Sequence, residues 1–397
     1  VSNVFDESSG LFEEAVELRR RFHRHPEIGL RLPRTQETVL EAIDGLGLDV
    51  RTGVRTTSVV AVLEGGHPGP TLLLRGDMDA LPLSEETGLD FSSEIEGAMH
   101  ACGHDTHTAM LAMAARVLSR HTEELHGRVL FMFQPGEEGY FGAKVMIEEG
   151  LLDGDGAPVA AFAIHQTAHE TAGVIGCKAG PLAASADTLN IEVRGRGGHA
   201  SAPHLALDPI PAACEIALAL QTMITRRVSV FDPAVITIAH IEAGTTDNVI
   251  PEAARLEGTL RALSGETRSA VLEHARRVVN GVAHAHGVEA ELSVEEGYPP
   301  TINDDAMAEF ALDVAEEVLG EDRVERLKDP VMGAEDFSYV LQRVPGAMVR
   351  LGMAPPGVDR PAPNHSNRMV LEESAMAAGI AFHAGLALRF LDGTRSE

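Results

Sequence analysis

The chain has 397 residues, too long for one ordinary core, so two domains are expected. Its 44% hydrophobic content suits well-packed interiors, whereas 4% aromatic residues and no Trp leave any ligand pocket to aliphatic side chains, Met and a few Phe. With 60 acidic against 32 basic residues, a formal charge of −28, nucleic acid and membrane partners are disfavoured, and a small anionic substrate needs a local cation. Residues 1–20 lack the basic-then-apolar order of a signal peptide, and no apolar run approaches the roughly 20 residues that span a bilayer. Three cysteines (Cys102, Cys177, Cys214) do not make a disulfide framework. The expectation is a soluble, cytoplasmic protein.

In chain order, Leu11 to His25 has apolar residues at helical spacing and stops at Pro26, which cannot continue a helix. The apolar runs 58–63 and 71–74, bounded by Gly and Pro, read as buried strands. Thr106 to Leu118, rich in Ala and Met, reads as a helix, and Gly127 to Gln134 and Val159 to His165 as further buried strands. This alternation predicts an α/β domain whose strands end at candidate chemical residues, where such sheets place their ligands. From about Ser185 the pattern becomes half-buried: strands at 188–194, 234–242, 255–262 and 288–294, with helices at 205–227 and 266–285. That β-α-β-β-α-β order predicts a ferredoxin-like unit. After Tyr298-Pro299-Pro300 the helix–strand alternation resumes and runs to Phe390. The simplest organisation is a first domain of residues 1–185 plus 297–397, interrupted by a smaller one of 186–296.

The densest chemistry lies in Met99-His100-Ala101-Cys102-Gly103-His104-Asp105-Thr106-His107. A lone Cys-x-His is ordinarily a buried apolar Cys beside a surface His. Here the neighbouring imidazoles and carboxylate weigh towards metal, with Cys102 and His104 facing one point from an extended turn. Glu137-Glu138 would usually be a solvated acidic pair. It follows a buried strand and is bracketed by Pro135-Gly136 and Gly139, so its side chains diverge: one can bind metal while the other takes a proton from water. His165 ends a strand and His365 lies in the loop Asn364-His365-Ser366; each alone is ordinarily a structural histidine. The constellation carries the argument.

Taken with Arg75-Gly76-Asp77-Met78-Asp79-Ala80-Leu81-Pro82 and Pro135-Gly136-Glu137-Glu138-Gly139, the cysteine–histidine run resembles the signatures of the N-acyl-amino-acid amidohydrolases. This is the branch of the aminoacylase and carboxypeptidase clan that includes hippurate hydrolase and the auxin-conjugate hydrolases. Phe22-His23-Arg24-His25-Pro26-Glu27, Gly197-Gly198-His199-Ala200-Ser201, Asn248-Val249-Ile250-Pro251 and Gly333-Ala334-Glu335-Asp336-Phe337 match as well, in the family's order over nearly the whole chain. The resemblance implies a zinc-peptidase-like catalytic domain with an inserted ferredoxin-like lid that dimerises. It implies two divalent ions, zinc or manganese with cobalt or nickel as substitutes, on Cys102, His104, Glu138, His165 and His365. It casts Glu137 as general base, His199 as an oxyanion donor entering the partner subunit's site, and Asn248 as a substrate contact. Asp79 would orient a ligand imidazole; its plainer reading is a turn-capping Asp. In one departure, the chain continues after His365-Ser366 with Asn367-Arg368-Met369, where relatives often have Pro and an aromatic residue.

Amide hydrolysis needs a nucleophile, oxyanion stabilisation and a proton for the nitrogen, which a metal pair and one carboxylate can supply. The soft thiolate points to zinc or a neighbouring first-row metal rather than magnesium or calcium. Arg261 is a candidate anchor for the substrate carboxylate, against the plainer reading of a strand-end Arg paired to a surface acid. The expected activity is release of a free amino acid and a carboxylic acid from N-acyl amino acids. The alternatives are a dipeptidase or aminopeptidase of the same clan, or a non-catalytic metal-binding protein. The ligand set is carboxylate-rich and spread from residue 102 to 365, which weighs against a structural site closed by Cys and His.

Overall fold

The computed structural model describes residues 3–393. In chain order the elements are α1 (Val4–Gly10), α2 (Phe12–Arg24), α3 (Pro33–Ile43), β1 (Asp49–Thr52), β2 (Val59–Glu64), β3 (His67–Asp77), α4 (His104–Leu118), β4 (His126–Gln134), α5 (Gly142–Glu148), β5 (Pro158–Thr171), β6 (Ile175–Cys177) and β7 (Gly180–Ala183). They continue as β8 (Asp187–Arg194), β9 (Gly198–His199), α6 (Pro209–Arg227), β10 (Ala234–Ala243), β11 (Val249–Ile250), β12 (Ala253–Ala262), α7 (Gly265–His286) and β13 (Glu289–Glu296). The last are β14 (Thr301–Asn303), α8 (Asp305–Leu319), β15 (Val324–Arg326), α9 (Ser338–Leu341), β16 (Gly346–Ala354) and α10 (Met376–Phe390). Two compact units result: Val1–Gly180 with Ile302–Asp329 and Tyr339–Glu397, and Pro181–Thr301 with Pro330–Ser338.

The first unit is built on an eight-stranded mixed sheet of order β1-β2-β4-β3-β5-β16-β6-β15. Its centre, β4-β3-β5-β16, is parallel. Helices cover the centre, so Leu72 to Leu74 and Phe131 to Phe133 are buried without alternation. The Ala- and Met-rich α4 is buried along nearly its whole length, and α10 packs with it in the same core. β3 reaches from His67, well before the apolar run at 71, because its first residues lie at the sheet's exposed end and need no apolar pattern. Both β3 and β4 end just before the residues of chemical interest, and β5 carries His165 and continues to Thr171.

The second unit is a four-stranded antiparallel sheet of order β10-β12-β8-β13 with α6 and α7 packed on it. With its chain order, this is the ferredoxin-like arrangement. Its strands alternate buried and wet residues, as in β8 and β12. α6 begins at Pro209, not Leu205: Asp208 caps it, accepting the Ile210 N–H at 3.0 Å, and Pro209 takes the first helical position. The small ladder β9–β11 places His199 opposite Val249.

His383 of α10 is fully buried, and burial pushes its pKa down to about 3. An unfolded histidine titrates near 6.5, so between these values the unfolded state binds the extra proton and His383 lowers stability as pH falls. Replacing it by Gln should recover about 2 kcal/mol of the stability lost between pH 7 and pH 5, since 1.5 pH units separate pH 5 from the unfolded pKa. Urea unfolding of both proteins at the two pH values measures this, and equal acid losses would refute it.

Candidate active site

Cys102 and His104 lie on either side of Gly103, which has φ +72° and caps α4. His104 is the first residue of the helix, so the turn between the two is left-handed rather than extended. A side chain at position 103 would meet the Gln166 side chain at 2.6–2.7 Å, and Gln166 is held there by its hydrogen bond to the Cys102 carbonyl (2.7 Å). Glycine is therefore required for both conformation and space. Gly136, at φ +76° with Leu30 2.5 Å from its position for a Cβ, makes the turn after β4 that presents Glu137 and Glu138.

Asp79 organises that turn. Its Oδ1 accepts the Glu137 N–H (2.9 Å) and its Oδ2 the Glu138 N–H (3.0 Å). The Asp79 carbonyl accepts the Nδ1–H of His104 (2.9 Å). Imidazole orientation and turn capping thus come from different atoms of one residue.

A carbonyl only accepts, so the contact fixes the His104 proton on Nδ1 and leaves Nε2 as the ligating atom. That Nε2 is buried and makes no hydrogen bond among the described residues. His165 repeats the device: its Nδ1–H donates to the Gln166 carbonyl (2.6 Å), and Nε2 stands 3.6 Å from Cys102 Sγ. His365 reaches the cluster from a loop, held at φ +67° with its N–H donating to the Ala101 carbonyl (2.7 Å), and its Nε2 lies 3.2 Å from Glu138 Oε1. A non-glycine residue in that region marks local strain.

The donor atoms of Cys102, His104 and His165 lie within 4.8 Å of one another, as do those of Cys102, Glu138 and His365, and those of His104, Glu137 and Glu138. Two three-residue groups therefore share Cys102. Burial opposes the Cys102 thiolate, but the charges of His104 and His165 outweigh it and hold the thiol well below its usual range. This set of thiolate, imidazoles and carboxylate, converging on a buried imidazole nitrogen without a partner, fits a pair of divalent metal ions.

The residues of the 100–107 run alone do not separate ligands from bystanders; the resemblance singled out Cys102 and His104, and the structure shows what the other two histidines do. His107 donates Nδ1–H to Asp77 (2.5 Å) and accepts the Gln166 N–H at Nε2 (2.8 Å), so it has no lone pair for a metal. Burial pushes it down to about 4, against the pull of Asp77. His100 is buried, and burial pushes it to about 3. Asp77 itself received no role from its motif, yet it is fully buried, paired with Arg75 at 2.6 Å and 3.6 Å from His104 Nε2. No periodicity marks such a residue; only its placement at the end of β3 does.

His199, Asn248 and Arg261 belong to the second unit. His199 is exposed, and its Nδ1 accepts the Ser201 N–H (3.1 Å), which places the proton of the neutral ring on Nε2. The Ala200 N–H donates to the Asn248 carbonyl (3.1 Å), so Asn248 lies just before β11, beside the strand that carries His199. Arg261 makes no ion pair among the described residues. In the 367–369 departure, Arg368 pairs with Glu86 at 2.9 Å and Met369 is buried in the core.

Residues 73–389 match the peptidase family M20/M25/M40. Thermostable carboxypeptidase 1 of Saccharolobus solfataricus is 38% identical over 379 residues, 94% of this chain and 95% of that protein. N-acetylcysteine deacetylase of Bacillus subtilis is 36% identical over 95% of this chain and 97% of its own. The crystal structure of a dinuclear metal binding peptidase of the M20 family, also from Bacillus subtilis, superposes with a TM-score of 0.83 at 33% identity. It covers 96% of this chain and 99% of that one.

The hydrogen bonds of His365 with Cys102 and Glu138 push its pKa up to about 10 in the metal-free protein. At pH 7 the ring then carries a proton that a ligated metal must displace. Zinc uptake by the metal-free protein should release protons and tighten as pH rises from 6 to 9. Titration in buffers of different ionisation enthalpy reads the release, and pH-independent uptake would take His365 out of the ligand set.

Proposed function

The chain belongs to peptidase family M20/M25/M40, and on that footing we propose that it is a metal-dependent amidohydrolase cleaving N-acyl amino acids to a free amino acid and a carboxylic acid. The observation that carries the reading is the Glu137-Glu138 turn: two adjacent carboxylates presented to one histidine-rich cluster and pinned by one aspartate. Cys102, His104, Glu138, His165 and His365 hold two divalent ions, zinc or manganese. When bound, such a pair lowers the pKa of water towards about 7 and polarises a carbonyl.

Glu137 is the general base. It is 5% exposed, and its Oε2 lies 3.9 Å from His104 Nε2, within the ligand cluster. From there it takes the proton of the attacking water and returns it to the departing amide nitrogen. Asp79 is a positioning residue that holds both glutamates and His104. The exposed Nε2–H of His199 is a donor suited to the oxyanion of a partner subunit. Arg261, free of acidic partners among the described residues, anchors the substrate carboxylate with Asn248. That anchor supplies the local cation that a chain of charge −28 needs for an anionic substrate.

Peptides are a second reading, favoured by the similarity to a carboxypeptidase. The two reactions share a leaving amino acid with a free carboxylate. Homodimerisation of the inserted unit follows from the role of His199, and β10, an edge strand with Val235 and Ile241 exposed, is a surface suited to it. No helix of the described residues is long and apolar enough to cross a membrane. We place the protein in the cytoplasm, where a cysteine ligand stays reduced.

Chelated protein should release no amino acid from a panel of N-acyl amino acids and should regain release with zinc, manganese or cobalt. Glu137→Gln should lower kcat/KM by about 10²–10⁴ while keeping its metal. Full activity in that variant would remove Glu137 from the mechanism, and cleavage confined to substrates with a free α-amine would favour the peptidase. The role of His199 is tested by mixing: Glu137→Gln and His199→Ala homodimers should each be strongly impaired, but exchange of subunits should restore activity. In the hybrid, one subunit's intact Glu137 meets the other's intact His199. No recovery after verified exchange would place His199 within its own subunit's site or outside catalysis.

A further inference from the structure

Beside the ligand cluster, a second set of charged side chains is buried with no part in the proposed reaction. Asp105 follows His104 in the first turn of α4 and is fully buried. One of its oxygens, Oδ2, accepts from Arg19 Nε at 2.6 Å and from His23 Nδ1–H at 2.8 Å, both on α2. Arg19, itself 2% exposed, also donates through Nη1 to Glu373 (3.0 Å), and Arg20 reaches the same carboxylate (2.6 Å). The Arg19 and Arg20 guanidinium groups lie 4.9 and 4.5 Å from the centre of the Phe91 ring. On its other side His23 Nε2 lies 3.3 Å from Glu85, which accepts the Ser93 N–H at 2.6 Å. Two donors one turn apart on α2 thus converge on one oxygen of α4, one residue after a proposed metal ligand, and are themselves held by Glu373 and Glu85.

Burying an arginine–aspartate pair this deeply carries a desolvation cost that apolar side chains of similar volume would avoid. Stability alone is a poor reason for the arrangement. Its distinctive property is direction: a guanidinium edge and a ring nitrogen meet a single carboxylate oxygen and so restrict the rotation and height of the first turn of α4. His104, at the first position of that turn, and Cys102, joined to it through Gly103, inherit the restriction. We propose that Arg19 and His23 are positioning residues for the metal centre, acting through Asp105 to hold the donor atoms of His104 and Cys102 where the ions bind. The inference rests on the metal-centre reading above.

Arg19→Met alone leaves a buried carboxylate short of its cation and can fail to fold, so the test uses the charge-neutral pair Arg19→Met/Asp105→Asn. Arg19→Lys, which keeps the charge but not the fork of donors, is the milder second variant. Metal-free proteins are titrated with zinc, and separately with manganese, against a chelating dye, and their urea midpoints are measured in parallel. The double variant should lose about 10–100-fold in metal affinity, the range for residues that orient ligands, with a midpoint at or above that of the wild type. Arg19→Lys should lose several-fold in affinity at an unchanged midpoint. Wild-type affinity in either folded variant overturns the inference, because a purely structural pair would move only the midpoint. Wild-type protein that takes up no metal overturns the metal-centre reading, and this inference with it.

Discussion

The carboxylate of Asp79 accepts the backbone N–H groups of both Glu137 and Glu138, and the carbonyl of the same residue takes the Nδ1–H of His104. One residue just beyond β3 therefore sets the turn after β4 and the ring at the start of α4. At 1% exposure the two bonds to the carboxylate are charge-assisted in a water-poor setting, each worth about 1.5–3 kcal/mol. An asparagine could match only one of the two N–H groups and would aim its own donor at the other. The requirement for a carboxylate is thus geometric as well as electrostatic, and the divergence of the two glutamates depends on it.

The remaining chemistry follows from what occupies each histidine's second nitrogen. His104 and His165 use Nδ1–H on backbone carbonyls, which makes Nε2 the nitrogen that could ligate. His107, three residues from His104 and equally buried, has both nitrogens engaged and serves instead to join Asp77 to the backbone of β5. Arg75 balances the Asp77 charge beneath the cluster, as Arg19 balances Asp105 beside it. Buried acid–base pairs thus surround the ligands, and the excess negative charge of the chain stays largely at its surface.

The second unit obeys simpler rules. Its strands alternate because one sheet face is wet, its helices are capped by Asp208 and Ser264, and its core is aliphatic. The groups of interest there stand outside that core: an exposed His199 whose tautomer is set by the Ser201 N–H, and an Arg261 without an acidic partner among the described residues. The segment after His365 accommodates its unusual residues in a similar division of labour, with Met369 turned into the core and Arg368 tied to Glu86 at the surface.

Local sequence determined much of this protein. Apolar runs bounded by Gly and Pro mark the buried strands, half-buried alternation marks the second unit, and the motifs carry the family resemblance from which the proposed ligands follow, because each signal lies within a few consecutive positions. Membership of the family was legible for the same reason. The tertiary structure alone decided what engages the nitrogens of His104 and His107, since the Asp79 carbonyl and the Gln166 N–H come from 25 and 59 positions away, whereas His165 uses the carbonyl of its neighbour. It alone revealed Asp77 and the Arg19–His23–Asp105 set, whose members are separated by up to 86 residues and carry no periodicity. A hydrogen bond is directional and short-ranged, so its partners are named only when the chain has folded, whereas hydrophobic pattern is already present in the order of residues.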